Sequence, residues 1–87
     1  MVAAVVHSKP GCPNCVRAEA LLAAMDLPYT VIKYCPEQPG YAERRDTMFA
    51  AHGHRSFPNV YVGGEFVGGY AELVAAAADG RLGDADF

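Results

Sequence analysis

The sequence has 87 residues, of which 52% are hydrophobic and 20% charged, and its formal net charge at pH 7 is -3. A chain of this length buries only a modest core, so we expect one α/β domain covering residues 1–87. Its basic residues form no dense stripe, which argues against a nucleic-acid partner. Nothing in the sequence predicts a signal peptide or a membrane span, and an odd number of cysteines, three, suggests reactive thiols in a reducing compartment. We therefore expect a cytoplasmic protein.

The first half of the chain predicts a strand, a helix and a second strand. The apolar run from Val2 to His7 is typical of a strand that is buried on both faces. A helix follows from Pro13 to Met25 and stops before Pro28. The segment from Tyr29 to Tyr34 is rich in β-branched and aromatic residues, and a right-handed crossover would make it parallel to the first strand. The apolar face of the helix would contain Val16, Leu21, Leu22 and Met25.

The second half predicts a helix, a hairpin and a final helix. A helix from Tyr41 to Ala51 is stopped by Gly53. Two short strands, Asn59–Val62 and Glu65–Val67, are separated by two glycines, which is a strong signal for an antiparallel hairpin. An alanine-rich helix then runs from Tyr70 to Asp79. The predicted order is β-α-β-α-β-β-α, with a four-stranded mixed sheet flanked by three helices.

The main candidate for chemistry is the segment Cys12-Pro13-Asn14-Cys15, at the start of the first helix. Unpaired N–H groups and the positive end of the helix dipole stabilise a thiolate at Cys12. Cys15 lies one turn further along, where it can attack a mixed disulfide formed by Cys12. Pro13 suits the first helical turn because its φ is fixed. The alternative, half of a zinc site, needs two more ligands, and the other cysteine and the histidines lack suitable spacing. The pattern therefore favours a redox pair.

In this context the chain resembles the glutaredoxin family of the thioredoxin-like fold over nearly its whole length. Three segments carry the resemblance: Ser8–Cys15 resembles the family's active site, Arg55–Pro58 stands where the family has Thr-Val-Pro, and Gly68–Leu73 resembles its Gly-Gly-x-x-Asp-Leu segment. The resemblance implies a monomeric oxidoreductase in which Cys12 attacks a disulfide and Cys15 resolves it. It also implies glutathione as co-substrate, no metal, and disulfide-containing protein substrates, with ribonucleotide reductase as a family-based candidate.

The resemblance also implies a glutathione and substrate groove beside Cys12. Lys9 occupies the position of a family lysine that helps to hold the glycine carboxylate of glutathione and favours the thiolate. Arg45 aligns with a polar family position that reaches the same carboxylate, and Arg55 matches the basic residue often found before the Thr-Val-Pro turn. Each arginine is also explained as a solvated surface charge. Pro13 and Asn14 would contribute the rim of the groove.

The remaining site residues implied by the resemblance lie in the other two segments. Pro58 would be the family's cis-proline, which lets Phe57 hydrogen-bond an incoming peptide like a strand; the alternative is a trans proline that merely starts the third strand. Gly69 and Tyr70 would offer backbone groups to the γ-glutamyl carboxylate at the start of the last helix, next to Ala71.

The sequence departs from the family at two positions. Asn14 replaces the usual aromatic residue, and Ala71 stands where many members have an aspartate that meets the glutathione amine. These changes leave open a glutaredoxin-like redoxin that is reduced by a thioredoxin-reductase-like flavoenzyme. An iron–sulfur carrier, which Pro13 counts against, and a binding module without turnover are further alternatives. Cys35 is either a regulatory thiol or a small hydrophobic residue.

Overall fold

The computed structural model describes residues 3–84, with residues 83 and 84 described by their backbone alone. The elements in chain order are β1 (Ala4–Ser8), α1 (Pro13–Ala24), β2 (Tyr29–Lys33), α2 (Tyr41–His52), β3 (Asn59–Val62), β4 (Glu65–Gly68), α3 (Tyr70–Ala78) and α4 (Arg81–Asp84). The predicted order is confirmed through α3, and α4 is an additional short helix. The predicted start of β1 at Val2 lies outside the described residues, and the single-domain prediction for residues 1–87 stays a prediction.

The four strands form one mixed sheet in the order β2-β1-β3-β4. Strand β1 is parallel to β2 and antiparallel to β3, and β3 is antiparallel to β4. The predicted parallel pairing of β1 with β2 and the predicted hairpin are therefore both confirmed. The hairpin turn uses Gly63 and Gly64, whose φ angles of 60° and 83° fit the two-residue turns that match the twist of a hairpin.

The sheet packs against helices on both faces, but its two faces differ in burial. Ala4 and Val6 of β1 meet Leu22 of α1 and Leu73 of α3 in the larger core cluster, where all four side chains are 0% exposed. Complete burial of a valine or leucine side chain stabilises a fold by about 1.5–3 kcal/mol. On the opposite face, α2 contributes a smaller cluster. That cluster contains Tyr34, Met48 and Phe49, with Tyr41 and Phe57 packed against it.

Two burial predictions are wrong. Strand β1 is buried on one face only, since Val5 and His7 on the other face are half-buried. Val16 is 65% exposed, because the buried line of α1 is formed by Cys15, Ala18 and Leu22 instead. Val16 follows Cys15 directly, so its side chain is a solvent-exposed part of the region around the dithiol.

Sheet topology brings together the two segments that matter for the site. The loop after β1 leads into α1, and the Tyr34 N–H donates to the Ser8 carbonyl at 2.8 Å, which anchors the base of that loop. The antiparallel pairing of His7 with Asn59 places the beginning of β3 beside the end of β1. The Pro58 turn therefore lies next to the loop that carries Cys12.

Among the described residues, no helix is long and apolar enough to cross a membrane.

Candidate active site

The two cysteines at the start of α1 form a disulfide, with their Cα atoms 5.2 Å apart. Cys12 is the N-cap of the helix, and its Sγ accepts a hydrogen bond from the Cys15 N–H at 3.2 Å. Cys12 is 8% exposed and Cys15 is 1% exposed. The sulfur that a substrate can approach is therefore that of Cys12, while Cys15 lies behind it. This arrangement suits attack by Cys12 and resolution by Cys15.

Cys12 lies at a groove of about 810 Å³ between the start of α1, helix α2 and the turn before β3. Several residues that the sequence predicted for the site line this groove together with Cys12: Lys9, Pro13, Asn14, Arg45, Arg55 and Phe57. In the sequence, only the family resemblance connects these residues. Their spatial grouping now gives Cys12 a defined binding surface on the side of α2.

The groove is strongly basic. Its lining includes Lys9, Arg17, Arg45 and Arg55, against one acidic residue, Asp46. Asp46 forms an ion pair with Arg45 at 3.0 Å. The hydrogen bond to Asp46, followed by one to Tyr41, raises the pKa of Arg45 above its usual value. The groove thus carries a net positive charge in a chain whose net charge is negative.

The wall of the groove at Phe57 is held firmly. The Phe57–Pro58 peptide bond is cis, as the sequence predicted. The Phe57 ring packs edge-on against Phe49, with ring centres 5.3 Å apart, and Lys9 Nζ lies 5.7 Å from its centre, in cation–π distance. The Asn59 side-chain amide donates to the Ser56 carbonyl at 2.7 Å, which fixes the turn from within. The backbone beside Cys12 is therefore preorganised.

The start of α3 is separate from this groove. Gly69, Tyr70 and Ala71 do not line it. The Gly69 N–H already donates to Glu72 Oε1 at 2.7 Å, so this group caps the helix. The N–H groups of Tyr70 and Ala71, in the first turn, have no intrahelical partner and are the ones suited to bind an anion.

The sequence reasoning missed two residues near the site. Arg17 lines the groove, and its Nη1 donates to Asn14 Oδ1 at 2.9 Å; the i, i+3 spacing of this pair in a helix was a readable signal. His54 closes over the start of α3, since a Cβ built on Gly69 would lie 2.9 Å from His54 Nε2. No local pattern predicts that contact, because it joins residues from different elements.

Comparison with known proteins gives the family. The glutaredoxin family model matches residues 4–67. A glutaredoxin from Ricinus communis is 34% identical over 80 residues, covering 92% of this chain and 78% of the relative. Glutaredoxin 3 of Escherichia coli is 29% identical over 77 residues, covering 88% of each chain.

Solved structures agree with this assignment. The crystal structure of a buckwheat glutaredoxin–glutathione complex matches with a TM-score of 0.87 at 26% identity, covering 97% of this chain and 76% of that one. The solution structure of a dithiolic glutaredoxin from Trypanosoma brucei brucei matches with a TM-score of 0.81 at 33% identity, covering 93% and 82%. The thioredoxin-like fold predicted from the sequence is therefore confirmed. With its Cys12–Cys15 pair at the start of α1, the chain belongs to the glutaredoxin family of thiol–disulfide oxidoreductases.

Proposed function

We propose that this chain is a glutathione-dependent oxidoreductase that reduces protein disulfides and the mixed disulfides of proteins with glutathione. The observation that carries the proposal is the arrangement of Cys12 at a basic groove with Cys15 buried behind it. A thiolate at a helix N-terminus is stabilised by the first backbone N–H groups, and the Cys15 N–H already points at Cys12 Sγ.

With a glutathionylated protein as substrate, the Cys12 thiolate attacks the sulfur of glutathione. The substrate disulfide breaks, the protein leaves as a thiolate that takes a proton, and glutathione stays bound to Cys12 by a new disulfide. The thiolate of a second glutathione then attacks the sulfur of the bound one. This step releases oxidised glutathione and restores the Cys12 thiolate.

With a protein disulfide as substrate, Cys12 forms a mixed disulfide with the protein, and the Cys15 thiolate attacks the Cys12 sulfur. The reduced protein leaves, and the enzyme keeps the Cys12–Cys15 disulfide, which is the form the structure has. Two molecules of glutathione then return the pair to the dithiol, and one molecule of oxidised glutathione is formed.

Glutathione has two carboxylates, and the chain offers a suitable group for each. Lys9 and Arg45 line the groove with Cys12 and suit the glycine carboxylate. The free N–H groups of Tyr70 and Ala71 suit the γ-glutamyl carboxylate. Between them, the Phe57 backbone before the cis-proline would pair with the central peptide unit. The crystal structure of the similar buckwheat glutaredoxin in complex with glutathione supports glutathione as the ligand.

A second candidate is a redoxin whose dithiol is regenerated by a flavoenzyme. Two observations favour it: Asn14 is engaged by Arg17 and supplies no aromatic wall, and Ala71 supplies no side-chain acceptor for the glutathione amine. Both changes remove contacts to glutathione and leave the dithiol intact.

One preparation of the protein tests both candidates. The first assay follows reduction of a mixed disulfide between glutathione and a small thiol, coupled to glutathione reductase. The second follows insulin reduction driven by thioredoxin reductase. Turnover in the first assay is the expected result. Turnover in the second assay alone would overturn glutathione dependence and identify a redoxin.

We also propose that the protein acts as a monomer in the cytoplasm, where a reducing environment would regenerate its dithiol. Light scattering of the reduced protein and fractionation of the source cells test these two points separately.

A further inference from the structure

We propose that Arg17, held by Asn14, is a specificity-determining residue that makes this protein prefer substrates with an acidic side chain beside the reactive disulfide. This inference rests on the proposed attack by Cys12 on a mixed disulfide. Arg17 and Asn14 are not among the residues assigned above to the carboxylates of glutathione.

The charges of the groove leave cations without a partner. Four basic side chains line it, and the ion pair with Asp46 engages one of them, Arg45. The glycine carboxylate of glutathione neutralises the equivalent of one more positive charge. The equivalent of two positive charges then remains beside Cys12 while glutathione is bound. A positively charged surface of this kind usually binds a partner that carries negative charge.

Arg17 is the basic residue that the fold positions best for this role. It belongs to the first half of α1, the helix whose N-terminus carries Cys12, and its side chain is exposed. One N–H donor is used by Asn14 Oδ1 at 2.9 Å, and this contact restrains the guanidinium. An arginine has five N–H donors, so the donors that Asn14 does not engage stay available for a carboxylate. Within the part of the chain that the structure describes, the ion pairs are Arg45–Asp46 and Arg81–Asp79, so Arg17 has no acidic partner of its own.

Asn14 explains why this role falls to Arg17 here. An aromatic residue at position 14 has no amide oxygen to accept the hydrogen bond that now restrains the guanidinium. Because Asn14 Oδ1 accepts from Arg17, the NH₂ group of the same amide is left free to donate to a backbone carbonyl of the partner. The two side chains together form a polar rim that binds an acidic peptide segment.

The test uses three glutathionylated peptides of equal length that differ only at the residues flanking the cysteine, which are Glu, Gln or Lys. The pre-reduced protein is mixed with each peptide without free glutathione, and the released peptide thiol is measured after an acid quench. This single-turnover rate needs no glutathione recycling. Failure of glutathione dependence therefore shows in the coupled assay and leaves this measurement interpretable.

We expect the wild-type protein to react about fivefold faster with the Glu peptide than with the Gln peptide, the upper range for an exposed ion pair. Arg17→Gln should bring this ratio close to 1, and Arg17→Glu should make the Lys peptide the faster one. A change in the reactivity of Cys12 itself would alter all three rates equally and cancel from the ratio. Arg81→Gln, which changes an arginine of α4 that does not line the groove, should keep the wild-type ratio.

Ionic strength gives an independent check. Because an exposed ion pair is screened by salt, the wild-type ratio should fall towards 1 at about 0.5 M NaCl. A wild-type ratio of 1 at low salt would overturn the inference. So would an unchanged ratio in Arg17→Gln, which would assign the preference to another cation of the groove.

Discussion

Cys15 donates its backbone N–H to Cys12 Sγ at 3.2 Å while its own side chain is almost completely buried beneath that sulfur. The same residue therefore stabilises negative charge on the attacking sulfur and supplies the thiol that later resolves it. Because the donor is a backbone group, replacing the Cys15 side chain leaves this hydrogen bond in place. The two roles of Cys15 can accordingly be separated by mutation.

Cys12→Ser should abolish reduction of both kinds of substrate, since no other described sulfur reaches the groove. Cys15→Ser should retain turnover of glutathione mixed disulfides, which needs Cys12 alone, and lose reduction of protein disulfides. The two coupled assays measure these activities. Any residual activity of Cys12→Ser above the uncatalysed rate would contradict the assignment of the nucleophile. Cys35→Ser is the matched control, because it removes a free thiol outside the dithiol and should leave both activities unchanged.

We expect Lys9 to increase thiolate reactivity through its charge, because it lines the groove with Cys12 and lies near the Phe57 ring. Lys9→Gln should slow alkylation of reduced Cys12 at pH 6.5 by about threefold, the effect expected of one exposed charge. The rate is measured with iodoacetamide by mass spectrometry of the Cys12 peptide. Arg81→Gln, which removes a charge far along the chain on α4, should leave the rate unchanged. An equal loss in both variants would show that the effect comes from net charge alone.

The order of elements could be predicted because each has a local cause. Two glycines fix the hairpin, Pro13 and the dithiol mark the start of α1, and Gly53 ends α2 with a φ of 70°. The exposure of Val16 could not be predicted, because a helix of small apolar residues offers more than one apolar face. The sheet decides which face is covered. Helix α4 has four residues, too few to show a period.

The site was predictable in part for the same reason. The nucleophile could be predicted from the position of Cys12 in a local motif. The grouping of Lys9, Arg45 and Phe57 could be predicted only from the resemblance to the family. The contact between His54 and Gly69 arises where two loops meet in space, and the sequence contains no local signal for it. Residues of this kind become visible only once the strands are paired.

Gly69 is required by close approach, which a substitution can test. Its φ is -90°, which any residue adopts, but an added Cβ would lie 2.9 Å from His54 Nε2 and 3.2 Å from Glu72 Oε1. Gly69→Ala should therefore destabilise the protein by about 1 kcal/mol, as overpacking does. The midpoint of urea denaturation measures this loss. Because the nearest obstacle is the His54 ring, Gly69→Ala should cost clearly less in a His54→Ala background, by about 0.5 kcal/mol or more.

The double-mutant cycle also defines the result that would contradict this account. Additive effects of the two substitutions would mean that the His54 ring does not limit the space at Gly69. Gly53→Ala provides a reference, because a Cβ there would meet nothing within 4 Å and only the positive φ is penalised.

His7 couples stability to pH on the face of the sheet beneath α2. Its ring is half-buried beside Tyr61, and its Nδ1 is 2.9 Å from the Tyr34 hydroxyl. Burial first, and the positive charge of Arg44 second, lower the pKa of His7 from its usual value of 6.5. Between the folded and unfolded pKa values the unfolded chain therefore binds more protons. The contribution of His7 to stability is complete above pH 6.5 and declines as the pH falls below it.

His7→Gln should reduce this dependence on pH, because glutamine cannot titrate. The free energy of urea unfolding is measured for both proteins at pH 7.5 and pH 5.0, and the decline between these values should be smaller in the variant. The substitution also alters the contact with Tyr34 at every pH, so the comparison rests on the difference between the two pH values. The carboxylates and the other histidines are common to both proteins and cancel. Equal declines would show that His7 is protonated in the folded protein as readily as in the unfolded chain.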